Sequence, residues 1–458
     1  MHLEPAAPLP PSPNDQPWWR DLTRYHWFVF AVACLGWLFD TMDQQLFNLA
    51  RSPAIMSLLG DATPGDPRIA RFGSIATAIF IMGWGLGGLL FGILGDRLGR
   101  VKTMVLTILL YSLFTGLSAL SVSVWDFAIY RFLTGLGVGG EFAVGVALVA
   151  EVMPDRARPH ALGWLQASST IGNVTAALSS IVLGQLEETG AVGSAWRAMF
   201  LIGVVPALLV LPIMRKLDEP ERWKKLKASA GAGQQLGSLR ELFGDPRWRR
   251  HAIVGMVLGF TGVVGLWGIG FFSFDLIRPI FYKSLKAQGL AEEVIKGRLT
   301  YWVGIASVVQ NLGGFCGVYF FSWLTHRVGR KPAFAVAFIL APISTAFTFW
   351  FLEDFADIFW MLPLMGACQL MLFGGYAIYF PELFPTRLRS TGTSLCYNVG
   401  RFAAAIGPLT LGELTSRVFV GFPREPMRYA GVTMCAIFIL GLIALPFAPE
   451  TKGKPLPE

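Results

Sequence analysis

Charge is what this sequence has least of: Asp, Glu, Lys and Arg make up only 15% of its 458 residues, against 53% hydrophobic and 13% aromatic. One water-soluble core cannot absorb that much apolar surface, so a soluble globular protein is excluded. Histidine is scarce too, at five residues, and the five cysteines (Cys34, Cys316, Cys368, Cys396, Cys435) sit singly in apolar runs. That spacing suits neither a metal centre nor a redox pair, and the cysteines read as small core hydrophobes. No nucleotide-binding loop, metal cluster or nucleophile motif is present, so no cofactor and no enzymatic role is expected. The opening MHLEPAAPLPPSPNDQPWWR is rich in proline and lacks the apolar core of a signal peptide; residues 1–24 read as a disordered cytoplasmic tail.

What is there is length in apolar runs. A membrane-crossing helix needs about 20 mostly apolar residues. Twelve such runs begin near Tyr25, Phe72, Lys102, Trp125, His160, Trp196, His251, Leu299, Pro332, Phe355, Thr391 and Met427. They imply an all-α membrane protein with twelve transmembrane helices. The formal charge of +8 does not point to nucleic acid, because 24 of the 38 Lys and Arg fall in the even-numbered loops and the two tails. That bias predicts both termini on the cytoplasmic side of an inner (plasma) membrane. The chain then divides into the tail, a first bundle over 25–215, a basic cytoplasmic linker over 216–250, a second bundle over 251–448 and a cytoplasmic tail over 449–458. A monomer suffices for such an arrangement.

The two bundles repeat. FGILGDRLGR (Phe91 to Arg100) aligns with FSWLTHRVGR (Phe321 to Arg330), and EVMPDRAR (Glu151 to Arg158) with ELFPTRLR (Glu382 to Arg389), at offsets of 230 and 231. EPER at Glu219 and PETK at Pro449 close the sixth and twelfth runs. A duplicated bundle with a long basic central loop is a transporter layout, two halves rocking about a midplane site. The landmarks also carry a family resemblance. GILGDRLGRVKT resembles the loop 2–3 signature of the major facilitator superfamily, and YRFLTGLGVGGE its fourth-helix signature. EPERW and PETKG look like endings found in its sugar porter, organic ion and sialate or aromatic acid branches. The resemblance runs from about Tyr25 to Lys454. It implies pseudo-symmetric six-helix bundles and a cytoplasmic gate formed by Asp96, Arg97, Gly99, Arg100, Glu151, Arg156, Arg158, Glu221 and Arg222, with Arg330, Glu382, Arg387 and Arg389 as the second copy. The bland alternative is that these charges only fix topology. His326 stands where the first copy has Asp96, which would make the second latch weaker or pH-sensitive.

Ionisable residues inside the runs are expensive, so they read as functional and paired. Counted at about 1.5 Å per residue, Asp43 and Arg131 reach matching depth if the first helix ends near Ala50. An Asp43–Arg131 ion pair is expected. Asp40 lies about one turn away on the same face, and proton-driven carriers of the resembled family use a first-helix Asp against a fourth-helix Arg. Glu141 stands as a second proton site or as a latch partner for the Asp96 loop. Arg401, near the midplane of the eleventh run, has no acid at helical spacing; it invites a substrate carboxylate, or else a partner such as Asp275. Gln166, Asn173, Gln310, Asn311, Gln369, Tyr376 and Asn398, with Trp267 and Phe271 as an aromatic wall, complete a candidate site. Asp275 and Arg278 read as an external gate or an interface anchor. The expectation is proton-coupled symport of a small organic anion; a sugar or polyol porter and a metabolite or drug exporter are the alternatives.

Overall fold

Start and stop signals place each helix. The computed structural model describes residues 18–154, 157–221, 224 and 239–452. The first half holds α1 (Arg24–Leu59), α2 (Pro67–Leu98), α3 (Arg100–Ser118), α4 (Val124–Val152), α5 (Arg158–Glu188) and α6 (Ala195–Lys216). The second holds α7 (Pro246–Ala287), α12 (Pro426–Phe447) and, between them, α8 (Glu292–Val328), α9 (Arg330–Phe351), α10 (Ile358–Glu382) and α11 (Thr386–Ala404, resumed as Ile406–Glu413). Thr23 and Ser123 open α1 and α4 with reciprocal capping bonds, and Asp66 caps α2 with Pro67 at its first position. No strand occurs among the described residues.

The distribution of side chains is inverted relative to a protein in water. Asp40, Asp43, Arg51 and Arg131 are fully buried, while Leu208, Met214, Tyr319 and Ile343 are more than half exposed. An outer surface of that kind is stable only in hydrocarbon, where polar groups must turn inward. Eight of the helices are long and apolar enough to cross a membrane among the described residues. The chain is a multi-pass membrane protein.

Two helices break where the halves meet. In α7 the α-helix gives way to a π segment over Val264–Ile269 and a 3-10 turn over Gly270–Phe272. In α11 the break falls at Ala405, because Pro408 has no N–H to offer the Ala404 carbonyl. Irregular backbone at this depth is tolerated only where protein surrounds it. The face carrying the central linker is called the linker face below, and the other the far face.

Candidate functional site

The charged centre begins in the first half. Asp43 of α1 and Arg131 of α4, the expected pair, lie 3.7 Å apart with no side-chain exposure on either, although α1 runs past Ala50 to Leu59. The separation suits Coulomb attraction but not a hydrogen bond. Each group is held by others: Thr115 donates to Asp43 at 2.5 Å, while Arg131 donates to Ser118 at 2.8 Å and to Thr134 at 3.0 Å. The Phe200 ring lies 4.7 Å from the guanidinium carbon. Asp43 can therefore gain or lose a proton without breaking a direct bond to its counter-ion.

Asp40 is one turn nearer the linker face. Gln44 donates to its Oδ2 at 3.3 Å, and its Oδ1 has no partner. It lies within electrostatic reach of Glu141, Asp43 and Arg401. Glu141 is 1% exposed with neither carboxylate oxygen bonded. It abuts Gly36 of α1 so closely that a side chain there would overlap Oε1, with Met104 of α3 alongside. Glu141 thus belongs to the interior, beside Asp40.

Arg401 faces this centre from α11. Its guanidinium carbon sits 4.1 Å from the Trp84 ring centroid and 5.2 Å from that of Tyr397, and its Nε has no partner. Stacking on aromatic faces suits a guanidinium and leaves its edge for an anion. Trp84 meets Trp267 edge-on at 5.4 Å, and Trp267 meets Phe271 at 5.0 Å. The π and 3-10 segments of α7 carry these two rings. Sequence reasoning missed Trp84 and Tyr397, since nothing in a chain with 15 Trp and 10 Tyr singles them out. It also missed that Asp40, on another helix, is the acid nearest in effect to Arg401.

The polar residues around this centre divide. Asn173 donates to Asn311 at 3.0 Å, and Gln45 to Ser307 at 2.6 Å, both across the halves. Gln310 Oε1 and Gln369 Oε1 are buried without partners, although Gln369 donates to Thr345 at 2.8 Å. Asn398 closes on Gly88 of α2. Tyr376 is fully buried, stacks on Phe380 at 4.9 Å and gives its hydroxyl to the Leu258 carbonyl at 2.6 Å. It ties α10 to α7 within the second half. The side chain of Gln166 lies outside the described residues.

The far face is sealed by residues that the expected helix boundary hid. α1 continues to Leu59, nine residues past Ala50, so Arg51 is inside it. Arg51 pairs with Asp275 of α7 across the halves, donates to Thr77 at 3.0 Å and lies 3.7 Å over the Phe272 ring. Arg278 donates to the Leu49 carbonyl at 2.9 Å. Asp275 is therefore the partner of Arg51 and not of Arg401. Above the seal is a cavity of about 60 Å³ whose lining includes Ser52, Asp275 and Arg278. Removing one partner of a buried pair costs roughly 3–5 kcal/mol. Asp275→Asn is expected to loosen the seal, so that a cysteine placed at Ser52 reacts at least about 10-fold faster with a charged maleimide. An unchanged rate would mean the pair does not hold the far face shut.

On the linker face the repeat is reproduced in its ion pairs. Arg100 meets Glu151 at 3.0 Å and Arg330 meets Glu382 at 2.9 Å, with the same exposures, 12% and 20%, in both copies. The substitution of His326 for Asp96 does not lengthen the second pair. Gly99 (φ +116°) and Gly329 (φ +101°) are the one-residue turns of each α2–α3 and α8–α9 connection, a conformation that favours glycine. Glu219 accepts from the N–H groups of Arg100 at 2.7 Å, Val101 at 3.1 Å and Lys102 at 3.2 Å. Glu450 accepts from Arg330 at 2.9 Å and Lys331 at 3.0 Å. Of the two acids in EPER, Glu219 is the one whose offset of 231 to Glu450 continues the repeat, while Glu221 is 74% exposed and bridges Lys224 at 2.9 Å. The side chains of Asp96, Arg97, Arg158, Arg387 and Arg389, and residues Arg156 and Arg222, lie outside the described residues. Each network described joins the loops of one half.

Partial burial pushes the Glu450 carboxyl up, but backbone N–H bonds from Lys452, Arg330, Lys331 and Thr451 outweigh it and hold the group below the usual 4.5. A lowered native value stabilises the fold fully above the unfolded value and is lost as pH falls through the native one. Glu450→Gln is expected to cost about 1 kcal/mol at neutral pH, as loss of a helix cap does, and to flatten the acid limb of melting temperature against pH. The same acid limb in variant and wild type would remove Glu450 from this role.

Three comparisons fit this geometry. A putative metabolite transport protein of Haemophilus influenzae is 29% identical over 95% of this chain and 99% of its own. A cis,cis-muconate transport protein of Acinetobacter baylyi is 26% identical, covering 93% of this chain and 95% of its own. The crystal structure of a D-xylose–proton symporter shares the fold with a TM-score of 0.69 at 18% identity, over 94% of this chain and all of that one. The family model described as Major Facilitator Superfamily matches residues 33–408, more than half of the chain, and the chain belongs to that superfamily of transporters.

Proposed function

We propose that the protein is a secondary active transporter that carries a small organic anion inward across the plasma membrane together with protons. The observation that carries this reading is Arg401, a guanidinium at the junction of the halves, stacked on Trp84 and Tyr397 with its Nε unbonded. A carboxylate would satisfy it by charge-assisted hydrogen bonds, and the rings of Trp84, Trp267 and Phe271 would cover a flat or apolar body. The muconate carrier among the relatives supports the substrate class. Asp43 and Asp40 supply the proton sites, with Arg131 as the counter-ion that makes proton affinity depend on conformation. The loop bias in Lys and Arg supports a cytoplasmic linker face, and on that reading the far-face seal closes this conformation to the outside.

The test is a thermal-shift screen of the purified protein in detergent with cis,cis-muconate, benzoate, sialate and lactate against xylose and choline. A ligand at 100 times its dissociation constant stabilises by about 2.7 kcal/mol. Stabilisation by a carboxylate alone supports the reading. Stabilisation by xylose alone replaces it with a sugar porter.

A further inference from the structure

The helix α3 carries a feature that the proposed cycle has not used. Thr103, Thr107, Tyr111, Thr115 and Ser118 follow one another at steps of four, four, four and three residues, and every one is fully buried. A hydroxyl stripe on a membrane helix is costly unless its members bond. At the far end they do: Ser118 accepts from Arg131 and Thr115 donates to Asp43. Towards the linker face Thr103 Oγ1 has no hydrogen-bond partner, and Tyr111 Oη and Ser112 Oγ have only each other. Both oxygens of Glu141 and Oδ1 of Asp40 are likewise unbonded and buried. Tyr111 is within electrostatic reach of Glu141, Asp40 and Asp43 together. Five buried oxygen-bearing groups from three helices, those of Asp40, Thr103, Tyr111, Ser112 and Glu141, therefore lie inside the first half with few or no partners.

We infer that this column, Asp43 and Asp40 to Tyr111 to Glu141 and on past Thr103, is a proton-release path to the linker face, separate from the route of the substrate between the halves. It rests on the proton coupling proposed above. In the step assigned to Tyr111, its O–H bond breaks as the proton passes to a Glu141 oxygen, while Oη takes the proton of the Asp40 or Asp43 acid. Two hops carry one net proton from the Asp acid to an ionised Glu141, the tyrosine ends neutral and nothing is oxidised or reduced. The charge left on Asp43 is met by Arg131. Glu141 lies ten residues along α4 from Arg131, or about 15 Å nearer the linker face. Asp40 on α1 and Tyr111 on α3 lie within electrostatic reach of Glu141; Asp43 reaches both of these, Arg131 on α4 pairs with Asp43, and Arg401 on α11 reaches Asp40 across the interface. Because Arg51 and Asp275 close the far face in this conformation, protons reach Asp40 and Asp43 from the linker face, and the proposed column is the route whose members a variant can interrupt.

That last point allows a test without substrate. The purified full-length protein is subjected to a rapid pH jump, and protonation of buried carboxyls is followed by the infrared carbonyl stretch of the neutral acid. Glu141→Gln is expected to remove one titrating band and to slow the remaining ones at least 10-fold; Tyr111→Phe is expected to slow them without removing any. Asp43→Asn assigns the band of Asp43. Remaining bands that titrate at the wild-type rate in both variants would overturn the path while leaving anion recognition at Arg401 intact. A wild type with no titrating buried carboxyl would overturn both the path and the proton coupling. A substrate screen without any carboxylate response would remove the anion reading but not these rates, so the failures are separable.

Discussion

Replacing Arg401 with alanine is expected to lower affinity for the carboxylate substrate about 100-fold, close to 3 kcal/mol, the scale of hydrogen bonds to a charged group. The geometry sets this figure. The guanidinium is held by ring faces rather than by a carboxylate within bonding distance, so it brings its charge to the substrate unspent. Lysine at 401 is expected to recover only part of the loss, because an ammonium cannot offer two parallel N–H bonds or stack on Trp84. Replacement of Trp84 by leucine separates the two contributions: it removes the platform without removing the charge, and is expected to weaken binding less than Arg401→Ala does. Equal binding by wild type and Arg401→Ala, measured by thermal shift or by calorimetry, would make Arg401 a structural residue and leave the anion to another cation. Arg51 is not available for that, since Asp275 already neutralises it.

How far the site could be read from the chain depends on the range over which each signal acts. The pairing of Asp43 with Arg131 rests on a count that ends the first helix near Ala50; the pair is there, but α1 runs on to Leu59, so rise per residue gives the partner only through a boundary that the structure moves. The repeat exposed the linker-face networks, because duplicated loops preserve residue types at a constant offset. It did not choose between the two acids of EPER, since only the N–H groups at the start of α3 single out Glu219. Arg51 was hidden by a boundary: Ser52 and Pro53 look like an ending, yet the helix runs on to Leu59 with that proline inside. Helix ends in general shifted by several residues, α8 starting at Glu292 and not near Leu299. Trp84, Tyr397 and the hydroxyl stripe of α3 act through tertiary contacts, and single aromatic or hydroxyl residues in apolar runs carry no periodic mark that separates them from packing. The π segment of α7 has the same cause, since it depends on what surrounds Val264–Ile269.

Replacing Asp43 with asparagine is expected to abolish gradient-driven accumulation while leaving exchange of labelled for unlabelled substrate at about the wild-type rate. The reasoning is thermodynamic. A carrier that moves one proton with one monovalent anion is electroneutral, so a pH difference of one unit is worth about 1.4 kcal/mol and supports roughly 10-fold accumulation. Asparagine mimics the protonated acid in shape and neutrality, so the halves can still rock with substrate bound, but no proton leaves and the pH gradient does no work. The accumulation ratio then falls to about one. Thr115 still finds an acceptor in the amide oxygen, whereas Arg131 loses its counter-ion and leans on Ser118, Thr134 and the Phe200 ring. Asp40→Asn separates the two carboxylates, since Asp40 has no Arg131 to answer to and its loss is expected to alter the pH at which transport is half-maximal more than the final ratio. Proteoliposomes with an imposed pH difference read both quantities. Loss of exchange together with accumulation in Asp43→Asn would make the ion pair a structural clamp, and accumulation preserved in that variant would move the coupling proton to Asp40 or Glu141.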